Sequence, residues 1–415
     1  MYIKKLEIRN IRSISHFEMT FPKPAGWHVL IGDNGSGKSS IIRSVALGLL
    51  GPDNGTALSF VEDFSKWLKP EISKGSIVIE ILRDNNYDEP KYSKNVKKEI
   101  TCTIEIDRAK KESGYISGNV LPKTLLWNDK KGWFFAAYGP FRRLIGASDI
   151  FSHIASRPKL GACITAFRND AALTQLNSWL KDLALDAPKK QQAQESLNFI
   201  VDFINSAKLL PGDAELLNYI DSDGIKIKDA NGVEVYLSET SDGYHSILSM
   251  TLDIIRFLMN TYGADKVFEN KSVIDLPGVV LIDEVDSHLH PTWQTRIGQW
   301  FTKFFPNIQF IVTTHSALIC RACENSSIWR LAVPGSDDKS EEVTGIDKNR
   351  LIFGNVLDAY GTDVFGKSVT ISENANDKLN RLAELNIKSI MGEITKNEGK
   401  ELAELKAIFS TEELT

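Results

Sequence analysis

Long apolar runs are missing from this 415-residue chain, and no stretch approaches the roughly 20 apolar residues that a membrane-spanning helix needs. The opening MYIKKLEIRNIRSI alternates apolar and charged residues and holds no apolar core of signal-peptide length. Both absences exclude a helical membrane protein and lead us to expect a cytoplasmic one. Cysteine is scarce. Cys102, Cys163, Cys320 and Cys323 are too few for a disulfide framework and suit a reducing compartment. Cys320 and Cys323 form a lone C-x-x-C without a second ligand pair nearby, so two buried or half-buried helix cysteines are a better expectation than zinc. No long Lys/Arg run is present, and the net charge of -5 argues against a uniformly basic nucleic-acid coat, although a local basic groove stays open. Internal repeats and low-complexity tracts are absent too.

What remains is ordinary for a globular chain, with 42% hydrophobic and 25% charged residues. The length suits one large core with a subdomain. Residues 1–21 read as a strand or hairpin with outward charges. Trp27 to Ile31 is a short apolar strand that runs into a glycine-rich loop and then a helical run from Ile41 to Leu50. Gly51 to Gly75 reads as loop-rich, with one amphipathic stretch around Val61 to Leu68. Ser76 to Leu82 and Ile100 to Asp107 alternate with period two and predict antiparallel strands joined by a polar hairpin loop, Arg83 to Lys98. Trp133 to Tyr138 is a buried strand. From Phe141 to about Asp229 the pattern turns helical, notably over Ala171 to Leu185 and Gln191 to Leu209. Two short strands flank the turn at Ala230 to Gly232. Helices are expected over Gly243 to Tyr262 and Thr292 to Phe305. Gly278 to Ile282 and Ile308 to Thr313 read as central strands of a covered, mainly parallel sheet. Asn374 to Phe409 is charged and helical.

Four segments carry chemistry. Gly32 to Ser39 matches G-x-x-x-x-G-K-[ST] between a strand and a helix. Its glycines let backbone N–H groups turn toward a phosphate, Lys38 reaches the β- and γ-phosphates, Ser39 offers a hydroxyl to Mg2+, and the helix N-terminus faces the anion. The candidate nucleotide cradle is Gly32, Asn34, Gly35, Ser36, Gly37, Lys38, Ser39 and Ser40. Val279 to Ile282 is an apolar strand ending in Asp283 and Glu284, at the edge where ligands sit in open α/β sheets. There Asp283 would hold Mg2+ through water and Glu284 would orient or deprotonate the attacking water. Ser241 and Gly243 precede a helix, which makes an anion site or, in isolation, a plain helix cap. His315 follows the next buried strand; alone it would be a packed or surface histidine, and in this order it is a candidate γ-phosphate contact.

The order of these segments resembles the ABC-type ATPases, and within them the soluble branch of RecF, Rad50/SMC and OLD-like proteins. Lys5 to Ser13 is similar to the first strand of that branch, and Asp286 to Pro291 resembles the D-loop of the OLD-like group. The resemblance implies an α/β fold: an ABC-type P-loop NTPase core with a mixed sheet, an antiparallel β-lobe and a helical insertion. The core would comprise 1–140 and 230–370, the insertion 141–229, and a C-terminal helical segment 371–415. It implies that Lys38, Ser39, Asp283, Glu284 and His315 act on one nucleotide while Ser241 and Gly243 act on that of a partner copy. ATP, Mg2+ and a homodimer or higher oligomer follow, with Glu284, His315 and Lys38 in catalytic roles.

Two departures stand out. The signature reads Ser-Asp-Gly-Tyr rather than Ser-Gly-Gly-Gln, and the Q-loop glutamine has no clear counterpart. Tyr138 to Arg143 falls at about that point, where Arg142 or Arg143 would meet nucleotide or its neighbour, or serve packing or the surface equally well. The insertion is far too short for a Rad50 or SMC coiled coil, and no acidic TOPRIM pattern follows His315. The Tyr138 to Arg143 run, the short insertion and Ala359 to Asp363 are similar to the Septu-type ATPases of bacterial antiphage systems, some of which accompany retrons. That likeness implies an ATPase regulating a separate nuclease of the HNH kind. A RecF-like repair ATPase clamping DNA directly is the alternative, and a nucleotide-gated scaffold with little turnover is a third. The acidic balance leans toward the first, and intact Lys38, Asp283 and Glu284 weigh against the last.

Overall fold

The N-terminal hairpin pairs β1 (Tyr2–Ile11) with β2 (Ile14–Thr20), turning Leu6, Ile8 and Ile11 inward and Glu7 and Arg9 outward. The structure is a computed structural model, and it describes residues 1–60, 62–88, 98–108, 115–120, 127, 133–142, 157–168, 174–220, 225–240, 242–332, 335–336, 338–362, 364 and 373–409. Strands β4 (Lys74–Leu82), β5 (Glu99–Asp107) and β6 (Tyr115–Val120) extend the hairpin into an antiparallel sheet of order β2-β1-β4-β5-β6. The expected β4–β5 pair is therefore present, and most of the loop between them, 89–97, lies outside the described residues.

A second sheet holds β3 (Gly26–Ile31), β7 (Phe135–Tyr138), β11 (Gly278–Ile282), β12 (Ile308–Thr314), β13 (Ile328–Arg330) and β14 (Glu341–Glu342) in the order β14-β13-β3-β12-β11-β7. All its pairs are parallel except β13 with β14. Strands β7, β11 and β12 are buried at every residue, because both faces of the sheet are covered. Helix α1 (Lys38–Leu58) lies between the two sheets, packing on β4, β5 and β6 and on β7, β11 and β12. Gly48 permits that closeness, since a Cβ there would stand 2.5 Å from Ile79 Cδ1. The helix runs past Leu50 by kinking at Gly51, which takes φ 81, and restarting on Pro52. Pro fits a first helical turn because its missing N–H has no partner there anyway.

The block from 157 to 228 contains the amphipathic helices α2 (Thr174–Asp186) and α3 (Gln191–Ser206), as expected, and also a strand that the helical reading omits, ahead of the two expected around the Ala230 turn. Strand β8 (Glu215–Ile220) pairs with β9 (Ile225–Lys228), and β9 with β10 (Glu234–Tyr236) across the turn at Asp229 to Gly232. Asn205 accounts for β8: its side chain accepts from Leu216 N–H at 2.7 Å and donates to Leu216 O at 2.9 Å, as a neighbouring strand would. Helix α3 docks through Phe203 and Ala207 on Trp300 of α5 (Ile297–Phe304). The expected helix over Thr292 to Phe305 is broken, with a short turn at Pro291–Gln294 preceding α5. Helix α4 (Asp242–Tyr262) covers the sheet beside β7. Beyond the sheet come α6 (Gly345–Phe353) and α7 (Val356–Tyr360), then the hairpin of α8 (Glu373–Met391) and α9 (Lys396–Ile408), whose Leu385, Leu402 and Leu405 form a small cluster of their own. Cys320 and Cys323 are buried around the 3-10 turn Ala317–Ala322, where the Cys323 thiol faces Trp27 O.

Candidate functional site

Strand register brings three of the four sequence segments to one edge. Ile31 pairs with Thr314, so the loop that starts at Gly32 leaves the sheet beside His315. Ile282 pairs with Val312 on one side and Tyr138 on the other, which sets Asp283 beside Thr313 and Gly139. The edge is the carboxyl end of the parallel strands, where ligands sit in open α/β sheets.

The loop itself is shaped by its glycines. Gly35 and Gly37 adopt φ 80 and φ 97, a left-handed backbone that glycine takes without a Cβ clash, and α1 begins directly after Gly37. Lys38 folds back so that its Nζ donates to Gly32 O at 2.6 Å and Asp33 O at 2.9 Å. Burial draws the Lys38 pKa down, against the opposing pull of Asp283, Glu284, Asp33 and Asp286. The ammonium thus sits within the field of the acidic strand end. Ser36 Oγ is buried and has no hydrogen-bond partner among the described residues. A buried hydroxyl without a partner is costly unless a ligand supplies one, so the loop fits an anion whose oxygens would accept from Ser36 and from Lys38. Ser39 is half-buried at the first turn of α1, on the loop side of the same edge.

The acidic end of β11 is pinned from its neighbour. Thr313 Oγ1 donates to Asp283 Oδ1 at 2.5 Å and accepts from Glu284 N–H at 2.7 Å. Asp283 is 2% exposed, and none of the described residues donates a hydrogen bond to its second carboxylate oxygen, which suits another donor or a cation. Glu284 has φ 47, a conformation unusual for a side chain of its size. Its Oε2 accepts from Ser287 Oγ at 3.0 Å. The segment after it is fixed in turn: Thr314 Oγ1 donates to Asp286, and Gln294 Nε2 to Leu289 O. His315 is exposed at the end of β12. The donor set of one hydroxyl and one carboxylate, Ser39 and Asp283, fits a hard divalent cation that keeps most of its water.

Arg142 is buried here, and so neither at the surface nor pointing at an open cradle. Its Nε donates to Gly139 O at 3.1 Å, Nη1 to Ser246 Oγ at 2.9 Å, and Nη2 to Asp283 O at 3.0 Å and Glu284 O at 2.7 Å. Burial lowers its pKa to about 10 despite Asp283, Asp286 and Glu284 nearby, so it stays charged at neutral pH. Arg143 lies outside the described residues, as does Ser241. Arg142 and Thr313 were the residues whose place the sequence could not assign, because their partners are main-chain atoms or come from remote strands and helices.

Gly243, in the first turn of α4, stands apart from the loop: a Cβ there would meet only His288 of the described residues, with His288 O at 2.7 Å. His288 Nδ1 also lies 3.9 Å from Asp242 Oδ2. Beside them opens a pocket of about 380 Å³ lined by Gly243, Tyr244, Ile247, His288, Leu289 and Trp293 among others.

Comparison with known proteins adds family and fold. The family model described as "AAA domain, putative AbiEii toxin, Type IV TA system" matches residues 28–321. The chain is 27% identical over 331 residues to "Septu protein PtuA" of Bacillus mycoides (strain KBAB4), a match covering 77% of this chain and 39% of that protein. It is 41% identical over 107 residues to "Retron Ec83 probable ATPase" of Escherichia coli, covering 25% of this chain and 18% of the other. The matches thus span well under half the length of these two relatives. Among solved structures, an SMC head bound to the C-winged helix domain of ScpA superposes with a TM-score of 0.52 at 19% identity, covering 84% of this chain and 99% of that one.

Proposed function

The chain belongs to this AAA-domain family and has the fold of an ABC-type ATPase head, and from that premise we propose how its residues work on ATP and with whom. It is an ATPase by family and fold. The observation that carries the residue assignment is the convergence, at one sheet edge, of a buried lysine, a loop hydroxyl without a partner among the described residues and two adjacent carboxylates. The backbone of Gly32 to Ser40, including Asn34, Gly35 and Gly37, would cradle the phosphates. Lys38 would leave its two carbonyls for the β- and γ-phosphates, and Ser36 would donate its hydroxyl. Ser39 and Asp283 would hold Mg2+, which when bound spreads the charge that builds on the phosphate oxygens. Glu284 would take a proton from, or align, the attacking water, and His315 would contact the γ-phosphate. Ser241 and Gly243 would serve the nucleotide of a second copy, making the working unit a homodimer or larger.

We further infer that this cycle regulates an associated nuclease in antiphage defence, supported by the likeness to the Septu and retron proteins. Purification from the native operon with mass spectrometry of bound chains tests that part, and a chain that purifies alone counts against it. The site is tested by two substitutions. Lys38→Ala removes a charge-assisted contact worth roughly 1.5–3 kcal/mol, so ATP affinity falls about tenfold to a hundredfold and hydrolysis stops. Glu284→Gln keeps ATP affinity and slows hydrolysis by about 10²–10⁴. Wild-type turnover by either protein refutes the assignment it probes.

A further inference from the structure

The geometry points to Arg142 as the positioning residue that makes the orientation of Glu284 depend on the seating of helix α4, an inference that rests on Glu284 being the group that acts on water. Arg142 is 3% exposed, and its four acceptors are three carbonyl oxygens and one hydroxyl. A guanidinium is a rigid planar fork, so the acceptors it engages together are held at fixed separations. Nη2 bonds two successive carbonyls, Asp283 O and Glu284 O, which lie on either side of the Glu284 Cα. Those two bonds fix the peptide planes that define its φ of 47. A glutamate stays in such a conformation only when its surroundings over-determine it. Thr313 supplies the third restraint through the Glu284 N–H, and Ser287 the one on the carboxylate.

The other arm of the same fork reaches α4. Nη1 donates to Ser246 Oγ, one turn beyond Asp242 and Gly243. A second polar tie runs parallel to it: Tyr138 Oη donates to Asp253 Oδ2 at 3.1 Å, and Asp253 is paired with Arg256. That tie fastens α4 to β7, where Tyr138 O accepts from Asp283 N–H at 2.8 Å, whereas among the described residues the Arg142 tie is the one that reaches the carbonyls on both sides of the Glu284 Cα. Among the described residues, displacement of the first turn of α4 therefore reaches Glu284 most directly through Ser246, the guanidinium and the two carbonyls. Full turnover then requires α4 to be seated, and the end of α4 that carries Gly243 is the end a second nucleotide-loaded chain would press.

The test uses the full chain in four forms: wild type, Arg142→Lys, Ser246→Ala and the double variant. ATP hydrolysis gives kcat and KM, titration with a fluorescent ATP analogue gives nucleotide affinity, and thermal unfolding reports folding. Lysine keeps the charge and loses the fork. Arg142→Lys is expected to lower kcat by about 10- to 100-fold with nucleotide affinity within about twofold, since misplacing a reacting group slows chemistry more than binding. Ser246→Ala is expected to lower kcat by roughly 3- to 10-fold. The double variant should be no slower than Arg142→Lys, because the hydroxyl acts through the guanidinium. Wild-type kcat in either single variant, fully multiplicative losses in the double, or a loss of nucleotide affinity equal to the loss of kcat overturns the inference. If Arg142→Lys fails to fold, Ser246→Ala decides alone: reduced kcat at unchanged affinity supports the coupling and wild-type kcat overturns it. Glu284→Gln measured in parallel separates the two levels. An active Glu284→Gln removes the assigned base, whereas an inactive one beside fully active Arg142→Lys and Ser246→Ala removes only the coupling.

Discussion

His28 lies in the strand that feeds the phosphate loop and is 1% exposed. Its Nδ1 accepts from Ser327 Oγ at 2.8 Å, and its Nε2–H donates to Pro24 O at 2.9 Å, so both nitrogens are satisfied in the neutral ring. Burial lowers its pKa to about 4 from an ordinary 6.5. The unfolded chain therefore binds a proton that the fold refuses between those values, and stability falls as pH drops through that window; above about pH 6.5 the group contributes no pH dependence. The loss amounts to about 3 kcal/mol by pH 4, at about 1.4 kcal/mol per unit. His28→Gln should be less stable than wild type at pH 7.5 and should close that gap as pH falls to 4.5. Parallel melting-temperature curves for the two proteins would contradict this account. Residue by residue, legibility followed contiguity. Lys38 could be placed because strand, glycines, lysine and helix are adjacent in the chain, and Asp283 and Glu284 because they terminate an apolar run. Arg142 could not, since Ser246 is 104 positions away and its other acceptors are carbonyls that every residue carries. Thr313 is equally silent in sequence: a threonine at a strand end gives no sign that it bonds an aspartate 30 positions earlier.

Elements were legible where local period and burial agree. The antiparallel β4–β5 pair, the buried β11 and β12 and the amphipathic α3 all follow from alternation or helical spacing in their own residues. Boundaries failed where tertiary contacts override a local signal. Gly51 and Pro52 read as a stop, yet Trp127 lies over Gly51 and donates its Nε1–H to Gly48 O at 3.0 Å, stabilising a kinked continuation of α1. Strand β8 is held by Asn205 and by β9, neither of which its six residues reveal. The docking of α3 on α5 is a test of this tertiary layer. Trp300 packs edge-on or tilted among Phe203, Phe301, Phe304 and Phe305 and donates to Ala207 O at 2.7 Å. Trp300→Ala should cost about 3–5 kcal/mol by removing the ring and leaving a cavity. Trp300→Phe should cost less, about 1–3 kcal/mol, chiefly for an Ala207 carbonyl left without its donor. Urea denaturation measures both, and equal losses would mean that the hydrogen bond, rather than the packing, holds α3 in place.

At the scale of the whole molecule, one chain gathers a phosphate loop and its acids but leaves the first turn of α4 facing His288 and a pocket rather than the loop. If that turn serves a second copy, the functional unit is two chains, each lending α4 to the other. Gly243→Arg and Gly243→Ala separate this from a local effect. Both add a Cβ that must displace His288 O from 2.7 Å, so both disturb the segment after Glu284 to a similar degree. Only arginine projects beyond it. Gly243→Ala is therefore expected to keep a substantial part of the ATPase rate, while Gly243→Arg loses nearly all of it and still binds ATP in its own loop. Equal losses in the two would assign the effect to His288 and leave no reason to invoke a second chain. The decisive measurement mixes Gly243→Arg with Lys38→Ala, each inactive alone. A mixed pair joins the intact loop of the first to the intact α4 turn of the second, so activity should return on mixing, up to about a quarter of the wild-type rate. That ceiling follows if random pairing makes half the dimers mixed and each mixed dimer has one competent site of two. Recovery should depend on total protein concentration, because association is bimolecular and mass action sets the fraction paired. Activity proportional to the sum of the separate proteins at every concentration would argue for a site contained in one chain.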